Sequence, residues 1–224
     1  MNLIYIHGLD SDANSTKGRL LEEYCQQYHP DITVLRPDLN QAPEQVFEHI
    51  LSLIQDADNK IENIEKKALA SNNTVLIGSS LGGYFSTLIS NHTGCPALLL
   101  NPSTQPHITL QRFAHEAMLG NEDEDTSSDD YVLHSTAGGW DITNADLQWF
   151  ADHPLSTVTH PDKVTVLIKE GDELLNPELA KTFYQEQGAA VTVQAGGDHR
   201  FSDFGEQLPM VLKLIQRLVE KRIK

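Results

Sequence analysis

Six short apolar runs, at 2–6, 32–35, 74–78, 96–100, 164–168 and 190–194, recur along a chain whose intervening stretches are mostly polar. Their brevity and their content of Val, Ile and Leu predict buried strands. Two of the intervening stretches repeat apolar positions at helical spacing: Val46, Ile50, Ile54, Ala57, Ile61 and Ile64 after Pro43, and Leu208, Val211, Ile215 and Leu218 towards the C-terminus. Pro43 suits the first turn of a helix, where a missing N–H costs no bond. Strand alternating with helix predicts an α/β fold, a mostly parallel sheet with helices on both faces, because parallel neighbours need a crossover between them. One domain over residues 1–224 is expected, without internal repeats.

The stretch from about 103 to 155 breaks the alternation, separating two strands by far more than an ordinary connection. Leu110, Phe113, Ala114, Ala117 and Met118 have amphipathic spacing in its first part, and Leu147, Trp149 and Phe150 end it. A lid-like insertion is expected, with Phe113 and Trp149 as candidate substrate-binding residues in an acyl pocket; the alternative is that they pack the insertion onto the body. Between these parts, residues 121–130 hold six carboxylates and no Lys or Arg. Their spacing does not match the ligand positions of a calcium loop, so a solvated loop and no metal are expected.

The strand ends carry the chemistry. The run 75–77 passes into Gly78-Ser79-Ser80-Leu81-Gly82 and then a helix-like stretch, the Gly-x-Ser-x-Gly pattern of a nucleophile elbow. The turn is too tight for β-carbons beside the serine, and strain holds the Ser80 hydroxyl in the open; Ser79 does not fit this geometry. Residues 3–6 lead into His7-Gly8-Leu9, where the amides of Leu9 and Leu81 are the candidate oxyanion donors and His7 shapes the loop. After 164–168 comes Lys169-Glu170-Gly171-Asp172-Glu173, and after 190–194 the glycine-rich Gly196-Gly197-Asp198-His199. A serine needs an imidazole to take its proton, and the imidazole needs a carboxylate to fix its tautomer. Ser80, Asp172 and His199 are the candidate catalytic residues, in the order nucleophile, acid, base that the α/β-hydrolase fold uses. Glu170, Glu173 and Asp198 compete with Asp172 for the acid.

Charge narrows the partners. The chain has 32 acidic against 16 basic residues, a formal net charge of -16, which disfavours nucleic acid and anionic lipid surfaces. Basic residues at Lys213, Arg217, Lys221, Arg222 and Lys224 are expected to complement the dipole of the last helix. No apolar stretch approaches the length of a membrane span and no leader pattern opens the chain, so a cytoplasmic location is expected, with Cys25 and Cys95 as reduced thiols.

The motifs IHGLDS, GSSLGG, LLNPS, EGDELL and GGDHRF, in this order over nearly the whole length, resemble the YqiA/YcfP-type esterases, small bacterial α/β-hydrolases. The resemblance implies a reduced α/β-hydrolase fold that begins at the oxyanion strand. It also implies hydrolysis of small carboxylic esters or thioesters, acyl-CoA among them, by Ser80, Asp172 and His199 without a cofactor. Residues 121–130 are more acidic than the family pattern. A peptidase or lipase of the same fold, or a binding protein that keeps the fold without turnover, are the competing expectations.

Overall fold

The computed structural model describes residues 1–59, 73–120 and 126–220. Six strands form one parallel sheet: β1 (Asn2–Ile6), β2 (Thr33–Leu35), β3 (Thr74–Ser79), β4 (Ala97–Leu100), β7 (Val164–Lys169) and β8 (Ala190–Gln194), in the order β2-β1-β3-β4-β7-β8. All five neighbouring pairs are parallel. Every residue of β3, β4 and β7 is buried, as both faces of a covered parallel sheet require, whereas no residue of the edge strand β8 is buried.

Alternation along each strand sorts the core into two layers. Leu3, Tyr5, Val75, Ile77, Leu98, Leu100 and Leu167 face helices α1 (Thr16–Tyr28) and α8 (Phe204–Glu220), while Ile4, Ile6, Leu76, Leu99, Val166 and Ile168 face the opposite layer. That layer holds α2 (Pro43–Asn59), α3 (Leu81–Thr93) and α7 (Pro177–Glu186). Val46, Ile50, Ile54 and Ala57 are buried along α2, and Leu208, Val211, Ile215 and Leu218 along α8. Ile61, Ile64, Lys221, Arg222 and Lys224 lie outside the described residues.

The 103–155 segment holds two elements at its start, α4 (Pro106–Thr109) and α5 (Gln111–Gly120), and one at its end, α6 (Asn144–Asp152). Between them stands an antiparallel hairpin, β5 (Val132–Ser135) and β6 (Asp141–Thr143), whose register shifts once. Strands of four and three residues are too short for a period-two pattern to stand out. Of the acidic stretch, 121–125 lie outside the described residues. No helix among the described residues is long and apolar enough to cross a membrane.

Candidate active site

Ser80 ends the run of β3 with φ 56° and ψ -120°, in the left-handed half of the map that side chains other than glycine rarely occupy. Three backbone bonds fix it there: its N–H donates to the Leu100 carbonyl at 3.0 Å, and its carbonyl accepts from Gly83 at 2.8 Å and Ser103 at 3.0 Å. The flanking glycines are required by close approach. A β-carbon on Gly78 would fall on the Gly82 carbonyl and the Ser86 hydroxyl, and one on Gly82 would fall on the carbonyls of Ile6 and His7. Ser79 is buried in the strand, so the open hydroxyl belongs to Ser80.

His199 arrives from the loop after β8, with Nε2 2.9 Å from Ser80 Oγ and Nδ1 2.8 and 2.9 Å from the two carboxylate oxygens of Asp172. Nδ1–H facing a carboxylate leaves Nε2 as the acceptor for the serine proton. The carboxylate is itself held, because Asp172 Oδ1 accepts the amides of Leu174 at 2.9 Å and Leu175 at 2.8 Å. The other acids lie elsewhere. Glu173 accepts the backbone N–H of His199 at 3.0 Å, Glu170 is exposed, and Asp198 accepts the Ser202 amide at 3.0 Å. Hydrogen bonds from Ser202 hold the Asp198 carboxyl below the usual range.

Gly8 lies against Ser80: a β-carbon there would sit 3.0 Å from Ser80 Cβ and 3.6 Å from its Oγ. His7 holds this loop. Its Nε2 accepts the Leu39 amide at 3.0 Å, so its proton is on Nδ1, which donates to the Gly8 carbonyl at 2.9 Å. In a trans peptide the N–H points opposite to the C=O, so the bond to the Gly8 carbonyl also orients the Leu9 amide. The amides of Leu9 and Leu81 have no acceptor among the described residues.

A residue absent from the sequence reading of the site joins these parts from beneath. Asn101, 2% exposed and at φ 42°, accepts the Lys169 amide on Oδ1 at 2.8 Å and donates from Nδ2 to the carbonyls of Asp198 at 3.1 Å and His199 at 3.2 Å. Its signal was the Asn-Pro pair at the end of β4, since asparagine tolerates left-handed backbone better than most residues.

A cleft of about 760 Å³ opens over Ser80 and His199 and extends to the start of α1. From the 103–155 segment it takes Ser103, Thr109, Leu110 and Arg112. Phe113 and Trp149 are not part of its wall, which corrects the expectation that they border the acyl site. Phe113 stacks on His134 with ring centres 4.1 Å apart, and Trp149 stacks on His153 at 4.0 Å while packing against Phe47 and Phe85. Phe113 and Ala114 of α5 pack onto the hairpin and the core, while Arg112 and the preceding Leu110 border the cleft.

A parallel sheet with a strained serine at the turn from β3 to α3, and with an acid and a histidine supplied after its last two strands, defines an α/β-hydrolase-fold protein. Within that class, the chain belongs to the Uncharacterised protein family (UPF0227), whose model matches residues 2–216 and which is the YqiA/YcfP-type family that the motifs indicate. Solved structures share the fold at low identity. Est1E from Butyrivibrio proteoclasticus matches at 14% identity and a TM-score of 0.66, covering 99% of this chain and 88% of its own. Alpha/beta hydrolase domain-containing protein 10 from mouse matches at 18% and 0.62, covering 97% and 90%. A thermophilic esterase from Thermogutta terrifontis matches at 14% and 0.63, again covering 97% and 90%.

Proposed function

We propose that the protein is a serine hydrolase of carboxylic esters or thioesters, with Ser80 as nucleophile, His199 as base and then acid, and Asp172 as the orienting carboxylate. The observation that carries this reading is the unbroken hydrogen-bond chain Asp172–His199–Ser80, ending on a hydroxyl at a strained turn. Among neighbours of the same fold are a thermophilic esterase and a metagenome-derived lipolytic enzyme, in line with it.

As Ser80 Oγ adds to the substrate carbonyl, its proton passes to His199 Nε2, and Asp172 stabilises the imidazolium. The carbonyl oxygen becomes an anion and is received by the Leu9 and Leu81 amides, the second of which also stands at the positive end of α3. The tetrahedral adduct collapses, the bond to the alkoxide or thiolate breaks, and the imidazolium supplies its proton. Water then repeats the sequence on the acyl ester, His199 taking its proton, and releases the acid with Ser80 restored. Nothing in this cycle calls on a cofactor. The 103–155 segment forms part of the cleft rim through Thr109, Leu110 and Arg112.

A fluorophosphonate is expected to add once, at Ser80, and Ser80→Ala to abolish both labelling and ester hydrolysis in a chain that still melts cooperatively. Asp172→Asn is expected to lower turnover by about four orders of magnitude by favouring the wrong imidazole tautomer. Mass-mapped labelling at Ser79, or undiminished hydrolysis by Ser80→Ala, would overturn the assignment.

A further inference from the structure

Among the described residues the cleft collects cations that form no ion pair with a carboxylate, Arg112 lying over the Phe113 ring at 4.8 Å. Lys17, Arg112 and Arg200 line it, against two carboxylates, Asp10 and Asp12. Both carboxylates hold backbone amides: Asp12 accepts that of Asn14 in its own loop at 2.6 Å, and Asp10 that of Ala137 in the β5–β6 turn at 3.3 Å. Ion pairs of lysine and arginine among the described residues join Arg36 to Glu22, Lys169 to Asp203 and Lys181 to Glu178, and none includes a cleft cation. In a chain with 32 acids to 16 bases, three such cations on one cavity do not follow from composition.

Lys17 is the most enclosed of them. Its Nζ donates to the Arg200 carbonyl at 2.6 Å, which satisfies one of three protons and no charge. Burial pushes its pKa down to about 8, with Asp198 opposing that shift and the Arg200 charge adding to it. Asp198 is held by the Ser202 amide and does not reach ion-pair distance of Lys17. An ammonium in this position is half-buried and feels the like charge of Arg200, so a bound anion would relieve both costs. Helix α1 adds the same sign: it begins at Thr16, and the amides of Thr16 and Lys17 have no acceptor among the described residues.

We propose that this end of the cleft is an anion subsite, formed by Lys17 and Arg200 with the first amides of α1, and that it selects esters carrying an ionised carboxylate or phosphate away from the scissile bond. The proposal rests on the ester-hydrolase reading, because the same cavity holds Ser80 and His199. The overall charge of -16 makes the partner a small anion and not a polyanion, which the surface would repel before the cleft could engage it.

Matched substrates test it. On the acyl side, 4-nitrophenyl hexanoate is compared with mono(4-nitrophenyl) adipate; on the alcohol side, phenyl hexanoate is compared with its 4-carboxyphenyl and 4-phosphonooxyphenyl analogues. At least one anionic member is expected to exceed its neutral partner in kcat/KM, and the arm that does so identifies the side and the group. Lys17→Ala and Arg200→Ala are each expected to lower that anionic-to-neutral ratio about tenfold, equivalent to about 1.4 kcal/mol, and Lys17→Arg to restore most of it. Added salt should lower the ratio in the parent. A parent ratio at or below one in every arm, or a ratio unmoved in both alanine variants, overturns the subsite while leaving ester hydrolysis standing. If no ester is turned over, it is the hydrolase reading that fails. Calorimetric binding of monoethyl adipate to Ser80→Ala, with and without Lys17→Ala, then decides the subsite alone, and equal affinities would reject it.

Discussion

Asn101 shows how much of the site depends on one amide. Its oxygen faces an N–H of the strand that leads to Asp172, and its nitrogen faces two carbonyls of the loop that carries His199. Asp172 and His199 come from separate strand ends, and this side chain ties the two together. Asn101→Asp retains the left-handed tolerance and the acceptor but turns the donor into an oxygen facing two carbonyls. The loop must then move, and a misplacement of the order of 1 Å costs about a hundredfold in rate. We expect kcat to fall by about that factor with KM little changed. Equal losses in kcat/KM from a raised KM would instead mark Asn101 as part of the binding surface. Nothing in a linear pattern announces this role, because the three strand ends it joins are brought together by the sheet order.

At the scale of elements, the parts legible in the sequence are those whose burial is complete. β3, β4 and β7 are covered on both faces, so their central residues are apolar and stand out against the intervening chain. The loops after β3 and β7 carry Ser80 and Asp172, which makes that chemistry legible with them, while His199 follows the edge strand β8 and stands out by its glycine-rich loop. Helix α1 was not specified, because over 13 residues it buries only Gly18, Leu21 and Cys25. The hairpin was missed for its shortness, and the cleft cations because Lys17, Arg112 and Arg200 converge from three distant segments. Phe113 illustrates the remaining ambiguity: an amphipathic helix has an apolar face, and the pattern cannot say whether a ligand or the protein covers it. Here His134 covers it, and Phe113 is 5% exposed. Phe113→Ala is therefore expected to destabilise the fold by about 3–5 kcal/mol, the usual range for a buried aromatic, and to leave the ranking of ester chain lengths unaltered. Chemical denaturation and a graded ester series measure the two effects, and an altered ranking with unchanged stability would return Phe113 to the substrate site.

For the whole molecule, the decisive buried groups are three phenols set on both sides of the sheet. Tyr5 lies in the layer of α1 and α8, and Tyr84 and Tyr184 lie in the opposite layer. The Tyr84 hydroxyl donates to the His153 carbonyl at 2.6 Å, and that of Tyr184 pairs with Thr87 Oγ1 at 2.7 Å. Burial raises all three far above their ordinary value of 10.0. The folded chain therefore keeps protons that the unfolded chain releases above about pH 10, so the stability these groups contribute is whole below that pH and is lost as pH rises beyond it. Lys17 acts in the opposite sense. Lowered to about 8 from 10.5, it gives up its proton in the folded state first, so stability rises slightly between those values. One lysine does not offset three tyrosines. The melting temperature is expected to hold or rise slightly from pH 8 to about 10 and then to fall steeply. Absorbance at the tyrosinate band should show the buried phenols ionising together with loss of the fold. Tyr184→Phe removes one of them without emptying its site, and should make the decline above pH 10 shallower. Ionisation of all six tyrosines while the near-ultraviolet circular dichroism stays native would show that the phenols titrate within the fold and that alkaline stability is set elsewhere.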